Sequence, residues 1–434
     1  MLSDKITSYS AKIAVVGLGY VGLPLACLTG IKGYSVLGID LDRDKIASLR
    51  QGKSYISDIP DMDLKKLIDR KVIQFNSGYN ELSSCDVIVI CVPTPLDAAC
   101  NPDYSFLLDA VREISLTLRR EQLVIVESTV APGTTEGKIL PLLQNKGLAA
   151  GSDFFLSYSP ERLDPGNKSF GVSNIPKLVA GLTPACRNLA CRFYEQLGLT
   201  VVPVAALAAA ELSKLLENTY RDVNIALVNE MAQVCRANGI DIWQVVDAAA
   251  TKPFGFQSFY PGPGVGGHCI PVDSVYYTSW ARNRGTPAKL AELARRINAA
   301  MPDYITGLIR ETLAAANKSL NESKVLILGV TYKRDVNDIR ESAVIKLIKK
   351  LQKGGAQITF HDPLVKKIKI NRADLHSVPL GEDTLLRQDC VILAVDHSAF
   401  DISWLDAVSP VLVDLTNALA EHQKVRNAKQ TGPV

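Results

Sequence analysis

Two side chains four residues apart, Cys269 and Asp273, are the clearest candidates for chemistry in this 434-residue chain. They lie in the stretch Tyr260 to Asp273, which holds four glycines and three prolines in fourteen residues. Gly is too free, and Pro too poor in donors, for that composition to read as a helix or a regular strand. The stretch is expected to be a loop whose bare backbone lies close against a ligand. A reachable thiolate is a strong nucleophile, and a nearby carboxylate can hold water or act as a base. The alternative is that Cys269 is a small buried hydrophobe, the usual fate of a free cysteine.

A second set lies upstream. From Ala205 to Ala237 there is neither Gly nor Pro, and Ala, Leu, Glu and Lys dominate, which predicts one long helix. Lys214, Asn218 and Asp222 repeat on one face of it, with Arg221 and Asn224 alongside. Apolar residues occupy most other sides, so this polar stripe is expected to face something enclosed rather than solvent. A buried Lys beside Asn makes a donor pair for a developing oxyanion. Shorter helices are expected at 241–250 and 286–300, flanking the Cys269 loop.

The elements before the helix read as alternating strands and helices. Lys12 to Val16 is a short β-branched run, as buried parallel strands are. It runs into Gly17-Leu18-Gly19-Tyr20-Val21-Gly22 and an apolar helical pattern, and a second strand, Tyr34 to Ile39, ends on Asp40. Gly17 would permit a tight turn, Gly19 a close approach to a pyrophosphate, and Gly22 close packing of helix on strand. The helix N-terminus would face phosphates, and Asp40 an adenosine ribose. Asp40 favours NAD, because its charge would repel a 2′-phosphate. Further strands start at Asp86, Leu123 and Phe154. Ligands sit at the carboxyl ends of such strands, which makes Thr94, Glu127, Ser128 and Thr129 candidates for the nicotinamide end. Ser128 and Thr129 could instead cap the following helix. Glu161 and Arg162 end the next strand, where a surface ion pair is the plain alternative.

After Lys318 a second strand–loop–helix series begins at Lys324, with strands at 356–361, 390–395 and 411–415. It resembles a dinucleotide domain reduced to one glycine, Gly329, and is expected to take a nucleotide other than NAD. Lys333, Arg334 and Arg340 could meet phosphates there or form a basic surface loop. The fold class is therefore α/β: two Rossmann-like parallel-sheet domains, 1–200 and 311–434, joined by a long central helix in a small helical domain, 201–310. The tail from Glu421 to Val434 is expected to fray.

Composition narrows the function. With 48 basic against 45 acidic residues and a net charge of +3, no strong field for nucleic acid or membrane is implied. No apolar run reaches the roughly 18 residues of a membrane span. The N-terminal decapeptide has no apolar export signal. Nine dispersed cysteines without a paired Cys-x-x-Cys read as reduced cytoplasmic thiols and not as a metal site.

Seven motifs in order now resemble the UDP-glucose/GDP-mannose dehydrogenase family over nearly the whole chain. They are Gly17 to Pro24, Val92-Pro-Thr-Pro, Glu127-Ser-Thr-Val, Ser159-Pro-Glu-Arg, Lys214-Leu-Leu-Glu-Asn-Thr, Gly264-Val-Gly-Gly-His-Cys and Lys333 through Ser342. The resemblance implies a four-electron oxidation of a nucleotide sugar's C6 alcohol with two NAD in succession. Cys269 would carry a thiohemiacetal and then a thioester, with Lys214 and Asn218 stabilising the oxyanions. Asp273 with Thr129 would handle water, and Glu161 would act in hydrolysis. Arg162, Tyr260, Gly264, Gly267 and Lys333 would contact the substrate, and Arg340 would reach NAD. The long helix would pair two subunits into a homodimer or larger assembly. The loop motif is most similar to the branch that oxidises UDP-N-acetyl-hexosamines (GlcNAc or GalNAc) for surface polysaccharides, although Asp273-Ser274 replaces the usual Asp-Pro. UDP-glucose is the next candidate and GDP-mannose a distant third. A two-electron NAD dehydrogenase and a non-catalytic sugar-nucleotide-binding protein are the competing classes.

Overall fold

The computed structural model describes residues 1–420 apart from 57–58, 165–166, 168 and 268. The tail expected to fray, and His268 of the glycine loop, lie outside the described residues. The chain folds into two compact units, Met1–Glu217 with Val275–Pro287, and Asn218–Ser274 with Ala288–Val434.

The first unit is built on eight strands: β1 (Lys12–Val16), β2 (Ser35–Ile39), β3 (Ile73–Asn76), β4 (Val87–Ile90), β5 (Leu123–Val126), β6 (Phe155–Tyr158), β7 (Lys177–Gly181) and β8 (Val201–Pro203). Their order in the sheet is β3-β2-β1-β4-β5-β6-β7-β8. Val87-Ile-Val-Ile and Leu123-Val-Ile-Val are wholly buried, because helices cover both faces of a parallel sheet. The order reverses between β1 and β4, and that reversal opens a crevice at their carboxyl ends. β1 to β6 run parallel, but β7 is antiparallel to β6. Among the described residues no helix lies between β6 and β7, and without a crossover helix the chain returns antiparallel.

The second unit carries β9 (Lys324–Leu328), β10 (Gln357–His361), β13 (Cys390–Leu393) and β14 (Leu412–Asp414), in a parallel sheet ordered β10-β9-β13-β14. A hairpin of β11 (Lys367–Ile370) and β12 (Ala373–His376), not foreseen from the sequence, sits beside it. Its two-residue turn uses Asn371 and Arg372 at φ +47° and +72°.

The long helix spans Leu207–Ala237, 31 residues, about 46 Å at 1.5 Å per residue. The expected loop around Cys269 is only half a loop. A helix runs Cys269–Arg282, beginning at the thiol itself. Pro271 does not prevent it, since the first-turn N–H groups have no intrahelical partner to lose. The following helix is also longer than expected, Lys289–Ala315, and passes through Pro302. Pro302 releases the Asn298 carbonyl from its helical bond. Gly264 packs so close to this oxygen that a Cβ would stand 2.8 Å from it.

Candidate active site

In the first unit the glycines divide their work as the spacing requires. Gly17 has φ +92°, and a Cβ on it would stand 2.6 Å from the Cys91 carbonyl oxygen. A Cβ on Gly22 would stand 1.8 Å from the Gly17 oxygen, whereas one on Gly19 would meet nothing within 4 Å. Gly19 therefore presents open backbone at the start of the helix Gly22–Ile31, which has no side-chain cap and no acid in its first turn. That cradle fits a pyrophosphate. Asp40 is fixed by the Leu18 amide, which donates to its Oδ2 at 3.0 Å, and by the Asp42 amide, which donates to Oδ1 at 3.0 Å. Lys45 lies 3.8 Å away. Tyr55 donates to the Leu18 carbonyl at 2.5 Å, so both polar groups of Leu18 are tied down.

At the other carboxyl ends, Thr94 is buried and its carbonyl accepts from the Tyr276 hydroxyl at 3.2 Å. Thr129 is half-buried after β5. Ser128 does not cap the next helix; its hydroxyl donates to the Val92 carbonyl at 2.7 Å. The cap comes from a residue not foreseen for it, Glu211 of the long helix. It accepts from the Gly133 amide at 2.5 Å, the Thr135 amide at 2.9 Å and the Thr135 hydroxyl at 2.6 Å. Burial raises the Glu211 pKa despite these donors. Glu161 and Arg162 are not each other's partners. Glu161 lies 3.7 Å from Lys177, while Arg162 pairs with Glu217 at 2.7 Å and donates to the Pro176 carbonyl. Val21 lines a small cavity with Glu127, Glu161, Arg162 and Lys177. Lys214 is buried on the long helix.

In the second unit, Asn218 Nδ2 donates to Asp273 Oδ2 at 2.5 Å, and Asp273 is 2% exposed. Cys269, half-buried, is the first residue of its helix, and Asp273 follows one turn later on the same face. The dipole at a helix start favours negative charge there. The polar stripe is enclosed in part: Lys214 and Asp222 are buried and Asn218 and Asn224 half-buried, but Arg221 beside them is exposed. Asp222 is fully buried, pairs with Arg295 at 2.8 Å and accepts from Asn298 Nδ2 at 2.8 Å. Asn298 Oδ1 accepts from Asn229, whose own Oδ1 accepts from the Gly262 amide at 3.0 Å. This chain of amides ties the glycine loop to two helices.

That loop closes over a cavity of about 190 Å³ lined by Gly264, Gly266, Tyr332, Lys333, Arg334 and Ser342, among others. Gly267 has φ +83° and donates its amide to the Arg340 carbonyl at 3.1 Å. The cavity lies at the carboxyl ends of β9 and β13, where the strand order reverses, as a nucleotide site in such a sheet should. Helix Ala343–Lys353 starts there without a side-chain cap, leaving its first N–H groups open to an anion. Gly264, Gly267, Lys333 and Arg340 are thus brought together. Arg340 is clasped by Asp338 at 2.6 Å. Tyr260 does not line the cavity; it stacks on Trp243 at 5.1 Å and donates to Asp247 at 2.9 Å.

Comparison with known proteins gives this geometry a family. Residues 11–198 match the NAD binding domain of the UDP-glucose/GDP-mannose dehydrogenase family, 208–300 its central domain and 326–421 its UDP binding domain. The chain is 37% identical over 418 residues to UDP-N-acetyl-D-glucosamine 6-dehydrogenase of Pseudomonas aeruginosa, covering 94% of this chain and 97% of that one. It is 34% identical to UDP-N-acetyl-D-mannosamine dehydrogenase of Pyrococcus horikoshii, covering 91% of each. The solved structure of a UDP-D-ManNAc dehydrogenase from Pyrococcus horikoshii superposes with a TM-score of 0.85 at 32% identity, over 94% of this chain and 95% of that one. With both nucleotide cradles formed and the match running nearly end to end, the chain belongs to the UDP-glucose/GDP-mannose dehydrogenase family and is an NAD-dependent nucleotide-sugar dehydrogenase.

Proposed function

We propose that this enzyme oxidises the C6 alcohol of a UDP-N-acetyl-hexosamine to the uronic acid, a four-electron reaction serving surface polysaccharide synthesis. The names of its relatives, which act on UDP-N-acetyl-glucosamine and UDP-N-acetyl-mannosamine, support the substrate class. NAD, held by Gly17 to Gly22 and Asp40 with Thr94, Thr129 and Arg340 as further contacts, supplies the hydride acceptor, two molecules serving in succession.

The observation that carries the reading is the thiol at a helix start with a held carboxylate one turn on. Loss of a first hydride and the hydroxyl proton gives the aldehyde. The Cys269 thiolate adds to it, and the resulting oxyanion takes a proton to complete the thiohemiacetal. Loss of a second hydride and that proton leaves the thioester. Water then attacks the carbonyl, and the acid and the thiolate separate. Lys214 and Asn218 stabilise the oxyanions; Asn218 still has a second N–H beyond the one given to Asp273. Asp273 and Thr129 hold the water, and Glu161 works in hydrolysis. Arg162, Tyr260, Gly264, Gly267 and Lys333 bind the UDP-sugar.

Three working domains, 1–200, 201–310 and 311–434, divide these tasks. The long helix also serves assembly. Leu216, Tyr220, Leu227, Met231 and Val234 are all exposed, and at 100° per residue they form one stripe within about 60° of arc. Such a stripe is what a second copy of the helix would cover, giving a homodimer or larger assembly. The cytoplasm suits nine cysteines among which no disulfide is present in the described residues.

Replacing Cys269 by Ala tests the reading. The four-electron route predicts that turnover stalls with no acid formed. An undiminished rate would make this a two-electron dehydrogenase without thiol chemistry.

A further inference from the structure

The reversal of β7 has a chemical consequence. Because that strand enters antiparallel to β6, its first residue, Lys177, arrives at the carboxyl edge of the sheet, where β5 and β6 deliver Glu127 and Glu161. Lys177 Nζ lies 2.8 Å from Glu127 Oε2 and 3.7 Å from Glu161 Oε2. Glu127 is 1% exposed and Lys177 and Glu161 are each 11% exposed at the side chain. Tyr194, on the helix Pro184–Gln196, donates to Glu127 Oε1, and Lys177 lies 5.3 Å from the centre of its ring. Cys91, after β4, completes the titratable groups around the lysine, and Arg162 is turned to Glu217.

One cation therefore serves two carboxylates where there is little water. An isolated carboxylate in such a place would take up a proton rather than stay charged. Burial opposes the charge on Lys177 as well, but the two carboxylates outweigh it and its pKa is raised. Glu127, the deeper acid, has its pKa raised by burial, although Lys177 works the other way.

We infer that Lys177 is a positioning residue for Glu161, pairing with that carboxylate and aiming it while Glu127 anchors the lysine from its other side. The inference rests on the reading above that Glu161 acts in thioester hydrolysis. A base must be ionised to work, so loss of the cation should move the acid limb of hydrolysis to higher pH.

The experiment is rapid-mixing NADH formation followed by steady-state kcat against pH. Glu161→Gln should give a burst of two NADH per site and then slow turnover. No burst would overturn the hydrolytic reading of Glu161 whatever Lys177 does. Lys177→Met should keep the burst, lose at least tenfold in the steady state and move the acid limb up by about one pH unit or more; Lys177→Arg should restore the limb. If Lys177→Met does not fold, Lys177→Met with Glu127→Gln keeps the charge balance and carries the same expected shift. A burst in Glu161→Gln together with an unmoved limb in the lysine variants would overturn the inference alone, leaving the cluster a tie between strands.

Discussion

Asn218 and Asp273 meet at 2.5 Å, one from the long helix and the other one turn after the candidate nucleophile. A carboxylate that is 2% exposed needs donors to remain charged, and Asn218 supplies one without adding charge. Asp273→Asn is expected to lower kcat by about 10² to 10⁴, the usual range for a positioned acid or base. Asn218→Ala should cost about 10² to 10³ in kcat, because it removes both the proposed oxyanion donor and a hydrogen bond that holds Asp273. KM for the UDP-sugar should change less than kcat in both. A rise confined to KM, with kcat unchanged, would mean that these residues bind and do not catalyse.

Asp40 holds the glycine loop through the Leu18 amide, and the proposed function gives its carboxylate to the NAD ribose. Asp40→Ala should weaken NAD binding about tenfold or more, and calorimetric titration should show discrimination against NADP relaxed, since the repelling charge is gone. Unchanged affinity for both cofactors would remove Asp40 from the ribose contact.

Asp86 carries a pH prediction. Burial opposes its ionisation, but Lys5, the Lys12 amide and Arg119, which donate to it at 2.9, 3.0 and 3.0 Å, outweigh that and lower its pKa. A carboxylate with a depressed folded-state pKa contributes stability above its unfolded value of about 3.9, and loses it as pH falls through the folded value. Asp86→Asn should therefore be less stable by about 1 to 3 kcal/mol at pH 7. The gap from the native protein should close below about pH 4. Urea unfolding at both pH values measures it, and a gap independent of pH would assign the loss to packing.

The exposed stripe on the long helix predicts the effect of one charge. Leu227→Glu should shift the sedimentation profile toward monomer while leaving the helical circular dichroism intact. A native protein that sediments as a monomer at micromolar concentration would exclude the pairing outright.

The parts legible in the sequence are those whose causes are local. Gly17, Gly19 and Gly22 are set by a turn, an open backbone and a close packing, all within one strand–helix unit, and the spacing alone carries them. The burial of Lys214 and Asp222 was readable from the apolar residues around them, whereas the same reading put Arg221 with them and it is exposed. The helix that starts at Cys269 was not: Pro271 and the β-branched and aromatic residues after it argue against a helix locally. Burial of Val272 and Tyr276 decides otherwise. Glu211 capping a helix 76 residues away, and Lys177 meeting Glu127 across 50, are pairings that tertiary folding creates and no local pattern encodes.

The most direct test of the account is the number of NADH formed per sugar consumed, with the purified enzyme, NAD and a panel of UDP-GlcNAc, UDP-GalNAc, UDP-ManNAc, UDP-glucose and GDP-mannose. Two NADH per molecule of one UDP-N-acetyl-hexosamine, with the uronic acid as product, is the predicted result. One NADH per sugar, with an aldehyde or ketone released, would contradict the Cys269 thioester.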